Sequence, residues 1–217
     1  MISIGRMFES DRNLKGSEVR LWNLVEERTQ PGADVEQIDQ RIWDLFGETW
    51  AVVFTDLSGF SRHVAEFGII HFLQIIFEQK RLLLPIAAKN DGILIKVEAD
   101  SLLIIFKRAA SALRCAIEME HACQTYNRAR PREETVLLCV GIGFGRILRI
   151  GDTDVYGQEV NAASKLGEDT AQANEILVTA AVRAAASDVT EVTYAPLGIS
   201  VPGSEENFRV VYPVAQP

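Results

Sequence analysis

Two aspartates stand where a carboxylate can do chemistry. Asp56 ends the apolar run WAVVFT of residues 50–55, and Asp100 lies in the polar tip of GILIKVEADSLLIIF, residues 92–106. The first run is short and rich in β-branched and aromatic residues, as in a buried strand; the second is two apolar stretches split by Glu98 to Ser101, as in a β-hairpin. If those strands are neighbours, the carboxylates converge. Magnesium prefers oxygen ligands and is usually held by one or two carboxylates while phosphate oxygens complete its shell, so such a pair suits it. Either aspartate alone is an ordinary turn residue. After Asp56 the chain reads Leu57-Ser58-Gly59-Phe60-Ser61 and opens a helix. Its backbone N–H groups are expected to be free, and a helix N-terminus carries partial positive charge, so Ser58, Gly59 and Phe60 are candidates to cradle phosphates.

The elements that must position these residues follow from periodicity and turn signals. After the strand at 50–55 come a helix at about 61–84, the hairpin, a helix at 109–126, and an apolar run at 135–150 that passes Gly141, Gly143 and Gly145 and continues as a second, more exposed strand. Strand, helix, hairpin, helix, strand is the split βαβ order, so the fold class is α+β with a ferredoxin-like βαββαβ core. Additional C-terminal α/β elements follow: helix 157–172, strand 175–179, helix 180–186 and strands near 191–195 and 207–212. Upstream, residues 17–28 and 34–46 carry apolar positions at helical spacing, parted by Pro31-Gly32 and closed by Gly47. The expected division is an N-terminal helical segment, 1–48, and a catalytic domain, 49–217.

Composition narrows the partners. The chain has 217 residues, 47% of them hydrophobic, which supports a real core. A net charge of -8 and a pI near 5.0 argue against a nucleic-acid ligand, whose phosphates select basic surfaces. Cys115, Cys123 and Cys139 are odd in number and sit in apolar surroundings, reading as reduced core residues. No apolar run reaches the roughly 18 residues that span a bilayer, so a soluble, cytoplasmic protein with no membrane partner is expected.

The ordered set FTDLSGFS, KVEAD, GIGFGRI, DVYGQEVNAASKL and EILVT, spread over residues 50 to about 186, resembles the class III adenylyl and guanylyl cyclase catalytic domain. The resemblance implies two Mg2+ or Mn2+ ions per site, held by Asp56 and Asp100 with the backbone carbonyl of Leu57. It implies base reading by Lys96 and Asp154, ribose and transition-state positioning by Asn161, and a phosphate contact from Arg146. It also implies a nucleoside triphosphate as partner and a head-to-tail homodimer, with metals from one copy and Lys96, Asp154, Asn161 and Lys165 from the other. A lysine donor beside an aspartate acceptor matches adenine and mismatches guanine, favouring ATP; cytosine shows the same edge, so CTP stays open.

Three departures matter. Lys165 stands where the family usually has an arginine four residues after the asparagine; it keeps the charge on that helix face without the planar fork of a guanidinium. The late stretch GISVPGSEENFRVVY has no lysine where the family tends to place one for phosphate, and Arg209 substitutes only if it points inward. Ala99 replaces the glycine that usually precedes the second aspartate. The expected activity is therefore cyclisation of a triphosphate to the 3′,5′-cyclic nucleotide and pyrophosphate, with Asn161 and Lys165 as catalytic residues. The alternative is a weak or inactive cyclase-like domain acting as a nucleotide-binding regulatory or interaction module.

Overall fold

The computed structural model describes residues 16–213, and for residues 60–63 the backbone alone. The described residues group into two compact units, 49–145 with 158–213 and 16–48 with 146–157.

The larger unit holds most of the sheet. Strand β1 is Gly47–Leu57; a short helix α1, Phe60–Phe67, and a long one, α2, Ile69–Lys89, follow it. Strands β2 (Ile93–Glu98) and β3 (Ser101–Phe106) form the expected hairpin with a two-residue connection, Ala99-Asp100. Helix α3, Ala109–Asn127, then leads to β4, Leu138–Ile150, whose residues from Arg146 onward belong to the smaller unit. The strand order β2-β3-β1-β4 is that of a ferredoxin-like core.

Helix α4 (Gln158–Ser164) and a π-helical turn (Lys165–Thr170) precede β6, Glu175–Thr179; helix α5 (Ala180–Ala185) and strands β7 (Thr193–Pro196) and β8 (Asn207–Val211) complete the order β4-β6-β8-β7. Strand β6 runs parallel to β4 and antiparallel to β8. The core lies on the helix-covered face, where Ala51, Val53 and Leu57 of β1 pack with Phe72 and Leu83 of α2 and Leu113 and Met119 of α3. The three cysteines are free and buried.

Two expected boundaries shift. The helix expected at 61–84 is two helices, because Gly68 takes φ 84 and ψ 163 between them, and the second runs past Pro85 to Lys89. The helix expected at 157–172 widens into a π-turn at Lys165, a change that hydrophobic periodicity does not encode.

The smaller unit contains helices α6 (Gly16–Arg28) and α7 (Val35–Phe46) and a short hairpin of β4 with β5, Asp154–Tyr156. Leu21, Leu24, Ile38, Ile42 and Phe46 pack there with Ile150. Asp34 caps α7 by accepting from the Gln37 amide at 3.0 Å, and Arg28–Asp39 and Arg41–Glu27 ion pairs bind the helices together at 2.6 Å each. Among the described residues, no helix is long and apolar enough to cross a membrane.

Candidate active site

The antiparallel register of β1 on β3 ends at Thr55 opposite Leu102, so the next residues, Asp56 and Ser101, stand opposite each other where the hairpin turns. Ser101 Oγ donates to Asp56 Oδ1 at 3.2 Å. Asp100, only 9% exposed, lies beside them. Burial, and then the charge of Asp100, pushes the Asp56 carboxyl up to about 6 from its ordinary 3.8, while hydrogen bonds from the Leu57 amide and Ser101 act the other way. Burial also raises Asp100, with its own backbone, the Asp56 side chain and the Leu57 amide opposing. The Leu57 amide is set against both carboxylates. Glu168, from the π-turn, adds a further negative field at both aspartates.

Three structural details position this pair. Ala99 adopts φ 51, so the hairpin keeps the left-handed turn that a glycine would make at no steric cost. Gln79, fully buried on α2, donates through Nε2 to the Asp100 carbonyl at 2.7 Å. The Ser58 amide donates to the Leu137 carbonyl at 2.9 Å, which corrects the expectation that every N–H of this turn is free. Gly59 takes φ 89 as the cap of α1, and no side chain caps that helix. The Phe60 side chain lies outside the described residues. A cleft of about 430 Å³ opens beside the turn, lined by Ser58, Gly59, Phe67, Arg132 and Leu137 with Glu66 and Glu133. Arg132 carried no motif signal, because it precedes β4 in a 3-10 turn of generic sequence.

Asn161 and Lys165 are both exposed. The element that carries them is seated by glycines: a Cβ on Gly141 would lie 2.1 Å from the Ala163 carbonyl, and one on Gly143 would lie 2.3 Å from that of Glu159. Glu159 Oε2 accepts from the Phe144 amide at 2.9 Å and from Thr179 Oγ1 at 3.0 Å, tying helix to sheet. The GIGFG run is therefore a seat for α4, and Glu159 is its anchor; neither role was read from the sequence. Lys165 Nζ lies 2.5 Å from Asp169 Oδ2, and the neighbouring Glu168 accepts from Ser164 Oγ.

Lys96 is half-buried on β2, 3.9 Å from Glu98, just after a bulge between Leu94 and Lys96. In the smaller unit, Asp154 accepts from the Val155 amide at 2.9 Å and from the Tyr156 hydroxyl at 3.1 Å. Arg146 stacks over Trp43 at 4.7 Å and donates to its carbonyl at 3.4 Å. Arg209 pairs with Glu175 at 2.8 Å on a half-exposed side chain, so it does not supply the inward-pointing late cation.

Among the described residues no basic side chain is ion-paired with Asp56 or Asp100, which leaves two adjacent, partly desolvated carboxylates whose mutual repulsion a divalent cation would relieve. This donor set fits Mg2+ or Mn2+ with phosphate oxygens as further ligands. The described residues contain no cluster of three metal-ligating side chains.

Residues 47–209 match the adenylate and guanylate cyclase catalytic domain. The chain belongs to that family. A crystal structure of an adenylate/guanylate cyclase/hydrolase from Silicibacter pomeroyi superposes with a TM-score of 0.68 at 26% identity, covering 77% of this chain and 98% of that one. The adenylyl cyclase CyaB from P. aeruginosa gives a TM-score of 0.64 at 23% identity over 77% and 95% of the two chains, a likeness of fold. Of curated proteins, a putative adenylate cyclase 3 from Rhizobium meliloti (strain 1021) is 28% identical over 116 residues, 54% of this chain and 20% of that protein. The serine/threonine-protein kinase pkn2 of Myxococcus xanthus is 26% identical over 160 residues, 73% of this chain and 19% of that protein. The cyclase domain thus spans about a fifth of each of these curated relatives.

Proposed function

We propose that the chain cyclises a nucleoside triphosphate, with ATP favoured and CTP open, at sites shared between two copies of itself. The observation that carries this reading is the convergence of Asp56 and Asp100 at one strand end with, among the described residues, no basic side chain paired to either. In the proposed reaction the ribose 3′-oxygen attacks the α-phosphorus in line; the new O3′–Pα bond replaces the bridging bond to the β-phosphate, the hydroxyl proton passes to solvent, and pyrophosphate leaves. Two divalent cations, held by Asp56, Asp100 and the Leu57 carbonyl, would lower the pKa of that hydroxyl and neutralise the triphosphate.

The chain's own groups do the rest. Ser58, Gly59 and Phe60 line the phosphates of the same copy. From the other copy, Lys96 and Asp154 recognise the base, Asn161 orients the ribose and Lys165 meets charge building on the α-phosphate; Arg146 adds a phosphate contact. Homodimerisation of the head-to-tail kind places two such sites about one axis.

Asp56→Ala and Asn161→Ala proteins are each expected to be inactive alone and to regain part of the wild-type rate when mixed. Cyclic product is read by mass spectrometry after incubation with Mn2+ and each of the four triphosphates. No recovery under conditions of proven subunit exchange would refute the shared site.

A second reading is favoured by the ion pairs that engage Lys165 and Arg209: a nucleotide-binding module without turnover. It predicts nucleotide binding with no cyclic product from any triphosphate.

A further inference from the structure

We propose that Gln79 is a positioning residue for the Asp100 carboxylate, an inference that rests on reading Asp100 as a holder of the divalent cations. Gln79 lies on the core-facing side of α2 and is 0% exposed. Its Nε2 donates at 2.7 Å to the carbonyl of Asp100 itself, so a residue 21 positions earlier in the chain grips the two-residue connection of the β2–β3 hairpin from beneath.

The connection needs such a grip for two reasons. Ala99 holds a left-handed φ of 51, which an alanine leaves readily when nothing opposes it. The carboxylate it presents stands one residue before Ser101, whose hydroxyl donates to Asp56, so any slip of the connection moves Asp100 relative to Asp56. A buried amide hydrogen bond on the backbone resists both movements.

The amide is unusual for a core. Its Oε1 is buried with no hydrogen-bond partner among the described residues, whereas an apolar side chain there would leave no such acceptor stranded. Retaining a half-satisfied glutamine makes sense if the donor half has work at Asp100. Helix α2 offers a direct comparison one turn on, where Leu83 is equally buried and belongs to the apolar core.

The test compares Gln79→Met with Leu83→Val in the full chain. Mn2+ affinity is measured by electron paramagnetic resonance in the presence of saturating 3′-deoxy-ATP, which cannot cyclise, beside the melting temperature of the metal-free protein. Gln79→Met is expected to lose about tenfold in Mn2+ affinity, the lower end for removing a group that orients a ligand, with a melting temperature near wild type. In the metal-free protein its Asp100 and Ser101 amides should exchange with solvent about tenfold faster. Leu83→Val should melt earlier and keep wild-type Mn2+ affinity. Should Gln79→Met not fold, Gln79→Leu reads the same loss. Wild-type affinity and exchange in either Gln79 variant would overturn the inference while leaving the cyclase reading intact. No Mn2+ binding by the wild-type protein, or unchanged binding in Asp56→Ala, would refute the cyclase reading first and this inference with it.

Discussion

The aspartate pair and the Asn161–Lys165 segment belong to the same unit, yet the chain builds them in opposite ways. Asp56 and Asp100 are partly desolvated, hydrogen-bonded by Ser101 and the Leu57 amide, and gripped from beneath by Gln79. Asn161 and Lys165 are exposed on an element that is seated on glycines and anchored by Glu159. Two like charges do not stay together unless a fold compels them, and that costs burial and hydrogen bonds. A polar amide and an ammonium at the surface carry no such penalty. The difference teaches which half of the proposed site one chain preassembles and which half it presents outward.

Removing a group from the exposed half gives the largest expected effect and tests the contrast directly. Lys165→Ala is expected to lower the rate of cyclic product formation by about a hundredfold, the cost of one electrostatic contact to a developing charge. Its melting temperature should not move, because the Lys165–Asp169 pair is exposed and such pairs contribute little. Lys165→Arg restores the guanidinium fork and should run about tenfold faster than wild type. Steady-state kinetics with each triphosphate, beside thermal denaturation, read both quantities. A stability loss without a rate loss would erase the distinction between the halves.

Much of the preassembled half was legible in the sequence. The run ending in Asp56 and the hairpin tip carrying Asp100 are short continuous apolar stretches with polar breaks, and the connection, Ala99-Asp100, lies inside the break from Glu98 to Ser101. The order β2-β3-β1-β4 followed from the element sequence alone. What stayed hidden depends on contacts far apart in the chain. Gln79 sits in an apolar helical pattern where one amide looks like a surface residue, and only the fold shows it under Asp100. The glycines at 141, 143 and 145 signalled close approach, but not that Glu159 and Ala163 supply the approaching carbonyls. The three-residue strand β5 is too short to show a period. The π-turn at Lys165 has no periodic signature either.

Helix α3 carries a further buried carboxyl with no catalytic assignment, and it separates stability from activity. Glu120 on α3 is fully buried, both its oxygens lack partners among the described residues, and burial pushes it up to about 8 from 4.5. The groups whose titration it disturbs are Cys123, Cys139 and Tyr212, which burial keeps neutral in this range. An acid whose folded pKa is raised costs nothing below its unfolded pKa and destabilises as pH rises from 4.5 through about 8, because the native state then binds the extra proton. The loss is expected to be roughly 3 to 4 kcal/mol between pH 5 and 8. Glu120→Gln should flatten that slope and melt higher than wild type at pH 8, as denaturant titrations across the range will show. A wild-type slope of the opposite sign would mean that Glu120 is ionised in the fold.

The smallest effect concerns the turn itself, and it asks whether the preassembled half is strained as well as braced. Ala99 holds φ 51 in the two-residue connection between β2 and β3, a conformation that is strained for an alanine and not for a glycine. A left-handed alanine costs roughly 1–2 kcal/mol, and glycine there removes the Cβ conflict while adding freedom to the unfolded chain. Ala99→Gly should therefore stabilise the protein by about 1 kcal/mol in denaturant unfolding. Mn2+ affinity should stay near wild type, because the Gln79 bond to the Asp100 carbonyl rather than the Ala99 side chain holds the turn. Stabilisation with a marked loss of affinity would show that the methyl group, and not the amide beneath it, keeps Asp100 in place.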